Sequence, residues 1–138
     1  MPKTMYGEKG GQIESFPLEN YLHSDERGWV LFPWDREEIA IDPKTIHVVE
    51  TLPGAKRGNH RHPRAAEWLC PLEGEGILVW RSPSGELREL HLRSRGECVR
   101  IHPDVAHAVR NAGSGTFLLM AAREKDPEGD LSVPDTIV

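Results

Sequence analysis

The stretch Gly54-(x5)-His60-x-His62-(x4)-Glu67-(x6)-Gly74 constrains this chain more than any other part of it. In an extended strand, alternate side chains leave on one face, so His60 and His62 point the same way and can grip one object. A tight turn through Pro63, Arg64, Ala65 and Ala66 returns Glu67 beside them on the neighbouring strand. Two imidazole nitrogens and a carboxylate oxygen then converge, a donor set that suits a divalent transition metal. Paired histidines can also serve as hydrogen-bonded structural groups, or as acid/base residues in a metal-free site. The spaced carboxylate and the bracketing glycines favour the metal reading, because burying such groups without compensation is costly and a cation satisfies them together.

A second segment, Gly96-(x5)-His102-Pro103-Asp104-(x2)-His107-(x3)-Asn111, adds a third histidine. Its spacing resembles the second motif of the cupins, Gly-(x5)-Pro-x-Gly-(x2)-His-(x3)-Asn, and the stretch from Gly54 to Gly74 resembles the first. The resemblance implies an all-β cupin fold, a double-stranded β-helix or jelly-roll barrel, with His60, His62, Glu67 and His107 as inward-facing metal ligands. The ion it implies is zinc, iron, manganese, nickel or copper, among which ligand type does not choose. Two positions depart from the pattern, His102 standing where the family has Pro and Asp104 where it has Gly. Asp tolerates a left-handed backbone less readily than Gly, which puts the turn before His107 in question.

Strand-like runs recur along the chain at Trp29–Phe32, Ile46–Leu52, Trp68–Cys70, Ile77–Trp80, Leu87–Leu92, Cys98–Ile101, His107–Arg110 and Phe117–Ala122. Turn signals separate them, among them Pro83-Ser84-Gly85, which reads as a hairpin. Many short strands at regular spacing read as a sandwich or barrel. At 138 residues the chain holds one domain. The expected division is an N-terminal arm and first strand over 1–24, the barrel over 25–125 and a surface tail over 126–138, with residues 1–12 as a loose arm. A net charge of -5 argues against nucleic acid or a membrane surface as partner. No apolar run reaches the roughly 20 residues of a spanning helix, and the start lacks a signal peptide's apolar stretch. The expectation is a soluble, cytoplasmic protein. Cys70 and Cys98 lie in strand-like runs and read as buried thiols.

Within the cupins, Arg57-Gly58-Asn59-His60-x-His62 followed by Glu67-Trp68-Leu69 resembles the C-terminal cupin domain of capsular-polysaccharide-assembling proteins. It is similar, less closely, to sugar 3,4-ketoisomerases and to the 3,5-epimerase of rhamnose biosynthesis. The resemblance implies an epimerase or isomerase of polysaccharide biosynthesis acting on a nucleotide-linked keto-sugar. Such a reaction needs a base beside a carbonyl and a stabiliser for the enolate. His60 or His62 is the base where no metal sits; with a metal on both, the base is His102 or His47. Arg57, with Asn59 beside it, would bind substrate, its planar fork of donors matching a diphosphate. One departure weighs against catalysis: these families use a barrel tyrosine, and Tyr6 and Tyr21 both precede the first motif. Any of the four tryptophans can stack on a sugar. Two other readings share the site, a metal-dependent dioxygenase and a non-catalytic sugar- or small-molecule-binding cupin. Apolar residues on an early strand, Trp29 and Phe32, set the expectation of a homodimer.

Overall fold

Alternating apolar residues, punctuated by glycine and proline turns, produce thirteen short strands in the computed structural model, which describes residues 3–7, 11–129 and 131–138. They are β1 Thr4–Tyr6, β2 Ile13–Pro17, β3 Leu22–Asp25, β4 Gly28–Leu31, β5 His47–Thr51, β6 Lys56–Arg61, β7 Glu67–Glu73, β8 Glu75–Arg81, β9 Leu87–Arg93, β10 Glu97–Ile101, β11 His107–Arg110, β12 Phe117–Arg123 and β13 Val133–Pro134. Among the described residues the one helical element is a 3-10 turn, Pro43–Thr45, capped by the Asp42 side chain.

The strands form a six-stranded sheet in the order β1-β2-β10-β7-β12-β5 and a five-stranded sheet in the order β13-β6-β11-β8-β9. The β3–β4 hairpin stands apart as a third sheet. All pairings are antiparallel. This is the jelly-roll arrangement that the motifs imply, with all eight strand-like runs realised. The inner faces meet in a core of Ile13, Leu69, Val99, Ile101, Phe117 and Leu119 from the larger sheet and Leu78, Trp80, Leu92 and Val109 from the smaller. A second cluster covers the outer face of the larger sheet. There Trp68, Cys70 and Cys98 pack under Leu18, Tyr21, Leu31, Trp34, Ile39 and Ile41, contributed by the segment before β5. Both cysteines are buried and free, and burial with the neighbouring thiol pushes Cys98 well above the ordinary thiol range.

The termini take more part in the barrel than an arm and a tail would. Of the arm expected over 1–12, residues 1, 2 and 8–10 lie outside the described residues; Thr4–Tyr6 pairs with β2, and β2 pairs in turn with β10. The chain end adds Val133–Pro134 to β6. It is fastened there by Asn59, whose side-chain oxygen accepts from the amides of Ile137 and Val138 at 2.9 and 3.1 Å. Asp135 pairs with Arg81 at 2.9 Å, and Arg64 holds Asp126 and the Gly129 carbonyl at 2.8 Å each. The hairpin at Pro83-Ser84-Gly85 closes through a Gly85 amide to Ser82 carbonyl bond of 2.9 Å.

A bulge aims the first histidine. His107 pairs with His60 but Ala108 pairs with Gly58, so Asn59 is the extra residue on β6. Gly58 and Asn59 both take positive φ, 93° and 56°. A Cβ on Gly58 would meet the Ala108 Cα and the His107 carbonyl oxygen at 3.2 Å, backbone atoms of the paired strand that cannot yield cheaply. Gly58→Ala is therefore expected to lower stability by about 2 kcal/mol, the cost of forcing a side chain into strained backbone. Urea unfolding measures it, and an unchanged midpoint would show that β6 does not depend on this bulge.

Candidate active site

Three strands and the turn that follows β6 carry the four residues of the two motifs into one place. His60 comes from β6, His62 from the residues just after it, Glu67 from the start of β7 and His107 from the start of β11. One nitrogen or oxygen from each lies within 4.8 Å of the others. Glu67 is the centre. Its Oε1 sits 2.8 Å from His107 Nε2 and 3.9 Å from His60 Nε2, and its Oε2 sits 3.4 Å from His62 Nε2. The rings of His62 and His107 are 4.6 and 4.9 Å from that of His60, centroid to centroid.

Backbone carbonyls fix the tautomers. His62 Nδ1 is 3.1 Å from the Leu131 carbonyl and His107 Nδ1 is 2.9 Å from the Val105 carbonyl. A carbonyl only accepts, so each Nδ1 carries a proton and each Nε2 turns inward, where a neutral imidazole offers a lone pair. His62 Nε2 is buried and makes no well-formed hydrogen bond. Lone pairs facing a carboxylate repel unless a proton or a cation lies among them. Two nitrogens so fixed, one of them orphaned, and the Nε2 of His60 around one carboxylate fit a divalent cation.

The electrostatics agree. Burial, at 4% exposure, works against the charged form of Glu67, but the hydrogen bond from His107 and the nearby rings of His60 and His62 hold its carboxyl well below the usual range. Burial likewise opposes a charged His62, and the Glu67 carboxylate with the Leu131 carbonyl outweighs it, raising that pKa. Arg123, which sequence reasoning passed over, adds a guanidinium 3.3 Å from Glu67 Oε2. It is the first basic residue after an apolar run and faces inward beside Glu67 in the β12–β7 register, a placement no spacing rule for the motifs contains.

Three of the four cluster residues, His60, Glu67 and His107, line one side of an open-mouthed cleft. Val49, Leu69, Val109, Leu119 and Ala121 give it apolar walls, and His60, Glu67, His107, His47, Thr51 and Arg57 its polar groups. Arg57 is exposed and donates from Nε and Nη2 to the Glu50 carbonyl at 3.3 and 3.1 Å. His102 and Asn59 are not brought here. The His102 ring pairs with Glu14 at 2.7 Å, and the Asn59 side chain is occupied by the chain end. Of the two alternative bases, the cavity holds His47 and excludes His102. Neither tyrosine lines it: Tyr6 packs against the barrel core and Tyr21 against the outer cluster. No tryptophan lines it either, Trp80 and Trp68 being core residues. Asp104 adopts φ of 66°, the conformation that the cupin glycine would take, and pairs with Arg61 at 2.5 Å.

A cupin domain model matches residues 47–122, more than half of the chain. The chain belongs to the cupin family. Among solved structures this cupin is similar to the sugar 3,4-ketoisomerase QdtA of Thermoanaerobacterium thermosaccharolyticum, solved with TDP, at TM-score 0.71 and 20% identity over 90% of this chain and 88% of that one. It is similar to the dTDP-6-deoxy-D-glucose-3,5-epimerase RmlC of Legionella pneumophila, solved with dTDP-4-keto-L-rhamnose, at TM-score 0.70 and 16% identity over 95% and 77%. The capsular polysaccharide assembling protein CapF of Staphylococcus aureus matches at TM-score 0.60 and 22% identity, over 84% of this chain and 34% of its own. These likenesses are of fold. No curated protein matches the chain by sequence.

Elemental analysis of protein purified without chelator is expected to find about one divalent transition metal per chain, and His62→Ala is expected to lose most of it. Protons compete for the same nitrogens. Because the His62 pKa lies above its ordinary 6.5, metal affinity is expected to begin falling above that pH as the solution is acidified. Wild-type protein that refuses zinc, nickel, manganese and iron at pH 8 would contradict both expectations.

Proposed function

We propose that this cupin enolises a nucleotide-linked keto-sugar, as an epimerase or isomerase of polysaccharide biosynthesis, with a divalent transition metal held by His60, His62, Glu67 and His107. The observation that carries the reading is a single cleft lined both by Arg57 and by His60, Glu67 and His107 of a cluster that could hold a cation. The two neighbours solved with TDP or with a keto-sugar nucleotide share this fold, which supports the choice of substrate. So does the Arg57-to-Leu69 wording of the chain.

When bound, the ion supplies a Lewis acid for an enolate oxygen. The remaining work falls to side chains. Arg57 offers a planar pair of donors to the diphosphate, exchanging its present Glu50 carbonyl contact for a charged one. The walls of Val49, Leu69, Val109 and Leu119 keep water from the sugar ring and strengthen every charge interaction inside. Arg123 holds Glu67 Oε2 while His107 holds Oε1, which fixes the orientation of the carboxylate. We further propose a cytoplasmic protein, and a homodimer, since the β3–β4 hairpin and the residue after it expose Trp29, Val30 and Phe32.

The test is hydrogen exchange. Metal-replete protein in heavy water is expected to introduce deuterium next to the carbonyl of a 4-keto-6-deoxy sugar linked to thymidine or uridine diphosphate, seen as a fading C3 or C5 proton signal. Arg57→Ala is expected to weaken nucleotide-sugar binding by about 1.5–3 kcal/mol, the worth of a hydrogen bond to a charged group. No exchange above background on either series would leave the metal site without this reaction.

A further inference from the structure

Enolisation requires a proton acceptor in the cavity, and most of its polar groups are committed elsewhere. Arg57 carries donors and no acceptor. Both ring nitrogens of His107 are engaged, by the Val105 carbonyl and by Glu67. His60 turns its Nε2 toward Glu67, within the ring cluster. His47 stands apart from that cluster. In the register of β5 on β12 it lies opposite Ala121, a core residue 1% exposed, so its side chain leaves the strand on the inner face. It lines the cavity together with Leu69 and Ala121.

Its tautomer is set as well. His47 Nδ1 lies 2.6 Å from the Thr45 carbonyl, so Nδ1 carries the proton and Nε2 the lone pair. The carbonyl is itself held firmly, because the Thr45 hydroxyl donates to the Asp42 carbonyl at 2.8 Å and accepts from the Arg123 amide at 2.7 Å. Arg123 is also the residue that braces Glu67, so one short stretch of chain positions both His47 and the cluster.

We propose that His47 is the catalytic base of this cavity, an inference that rests on the keto-sugar reading above. His47 Nε2 takes the proton from the carbon beside the carbonyl. The C–H bonding pair becomes the carbon–carbon double bond of an enolate, and the carbonyl π pair moves to oxygen. The imidazolium, steadied by the Thr45 carbonyl, then returns a proton to carbon, the double bond collapses, and His47 is neutral again. Nothing is oxidised or reduced.

The experiment uses metal-replete full-length protein with the thymidine- and uridine-linked 4-keto-6-deoxy sugars. His47→Asn and His47→Gln are expected to keep wild-type metal content and to slow deuterium entry by about 100-fold or more, the usual contribution of a general base. Imidazole added to His47→Ala is expected to restore exchange, which a merely structural role would not allow. Wild-type rates in either amide variant overturn the inference, and so does loss of exchange that imidazole fails to restore. Wild-type protein without exchange instead overturns the function on which the inference rests. His60→Ala separates the two roles, since it is expected to lose metal and exchange together.

Discussion

A carboxylate buried among three imidazoles is the interaction around which this barrel is organised. Removing Glu67 from water costs several kcal/mol unless its charge is matched, and the matching partners come from far apart in the chain. His60 and His62 approach from β6 and its end, His107 from β11 and Arg123 from β12. Each histidine is set by a backbone feature. The bulge at Asn59 turns His60, the Leu131 carbonyl holds His62, and the Val105 carbonyl holds His107. The chain end is thereby drawn into the site, because Leu131 reaches His62 only while Asn59, Arg64 and Arg81 pin the segment that carries it.

Much of this is legible in the sequence alone. Period-two spacing places His60 and His62 on one face, and the turn through Ala65 and Ala66 delivers Glu67 to the neighbouring strand. Apolar alternation marks the core strands β8, β10 and β12 because most of their inner residues are apolar. The strands that escape this reading are those whose faces serve something other than the core. Lys56–Arg61 contains no apolar residue, since its inward positions Gly58 and His60 belong to the cavity. Ile13–Pro17 carries Glu14, nearly buried by its pairing with His102 and Arg100 on the neighbouring strand, a partnership that is polar in sequence and interior in structure.

The same distinction separates His47 from His102. Both are single histidines near strand ends, and nothing local tells which ring enters the barrel. Tertiary pairing decides it. His47 shares a face with Ala121, whereas His102 follows Ile101 by one residue, and Ile101 is a core residue facing inward, so the next side chain turns toward Glu14. Asn59 is a related case. Its place in the Arg57-to-His62 stretch resembles a substrate contact, but its positive φ and its bonds to Ile137 and Val138 make it a fastener of the chain end.

The proposed chemistry requires that the Glu67 cluster hold a cation at the edge of a substrate cleft. Anomalous diffraction from crystals grown without chelator, recorded at the absorption edges of zinc, iron, manganese, nickel and copper, tests it most directly. One strong peak per chain is expected among the Nε2 atoms of His60, His62 and His107 and the Glu67 carboxylate, at one of these edges. An ordered cluster with no peak at any edge, even after soaking in each metal, would contradict it and leave the imidazoles as proton partners of Glu67 alone.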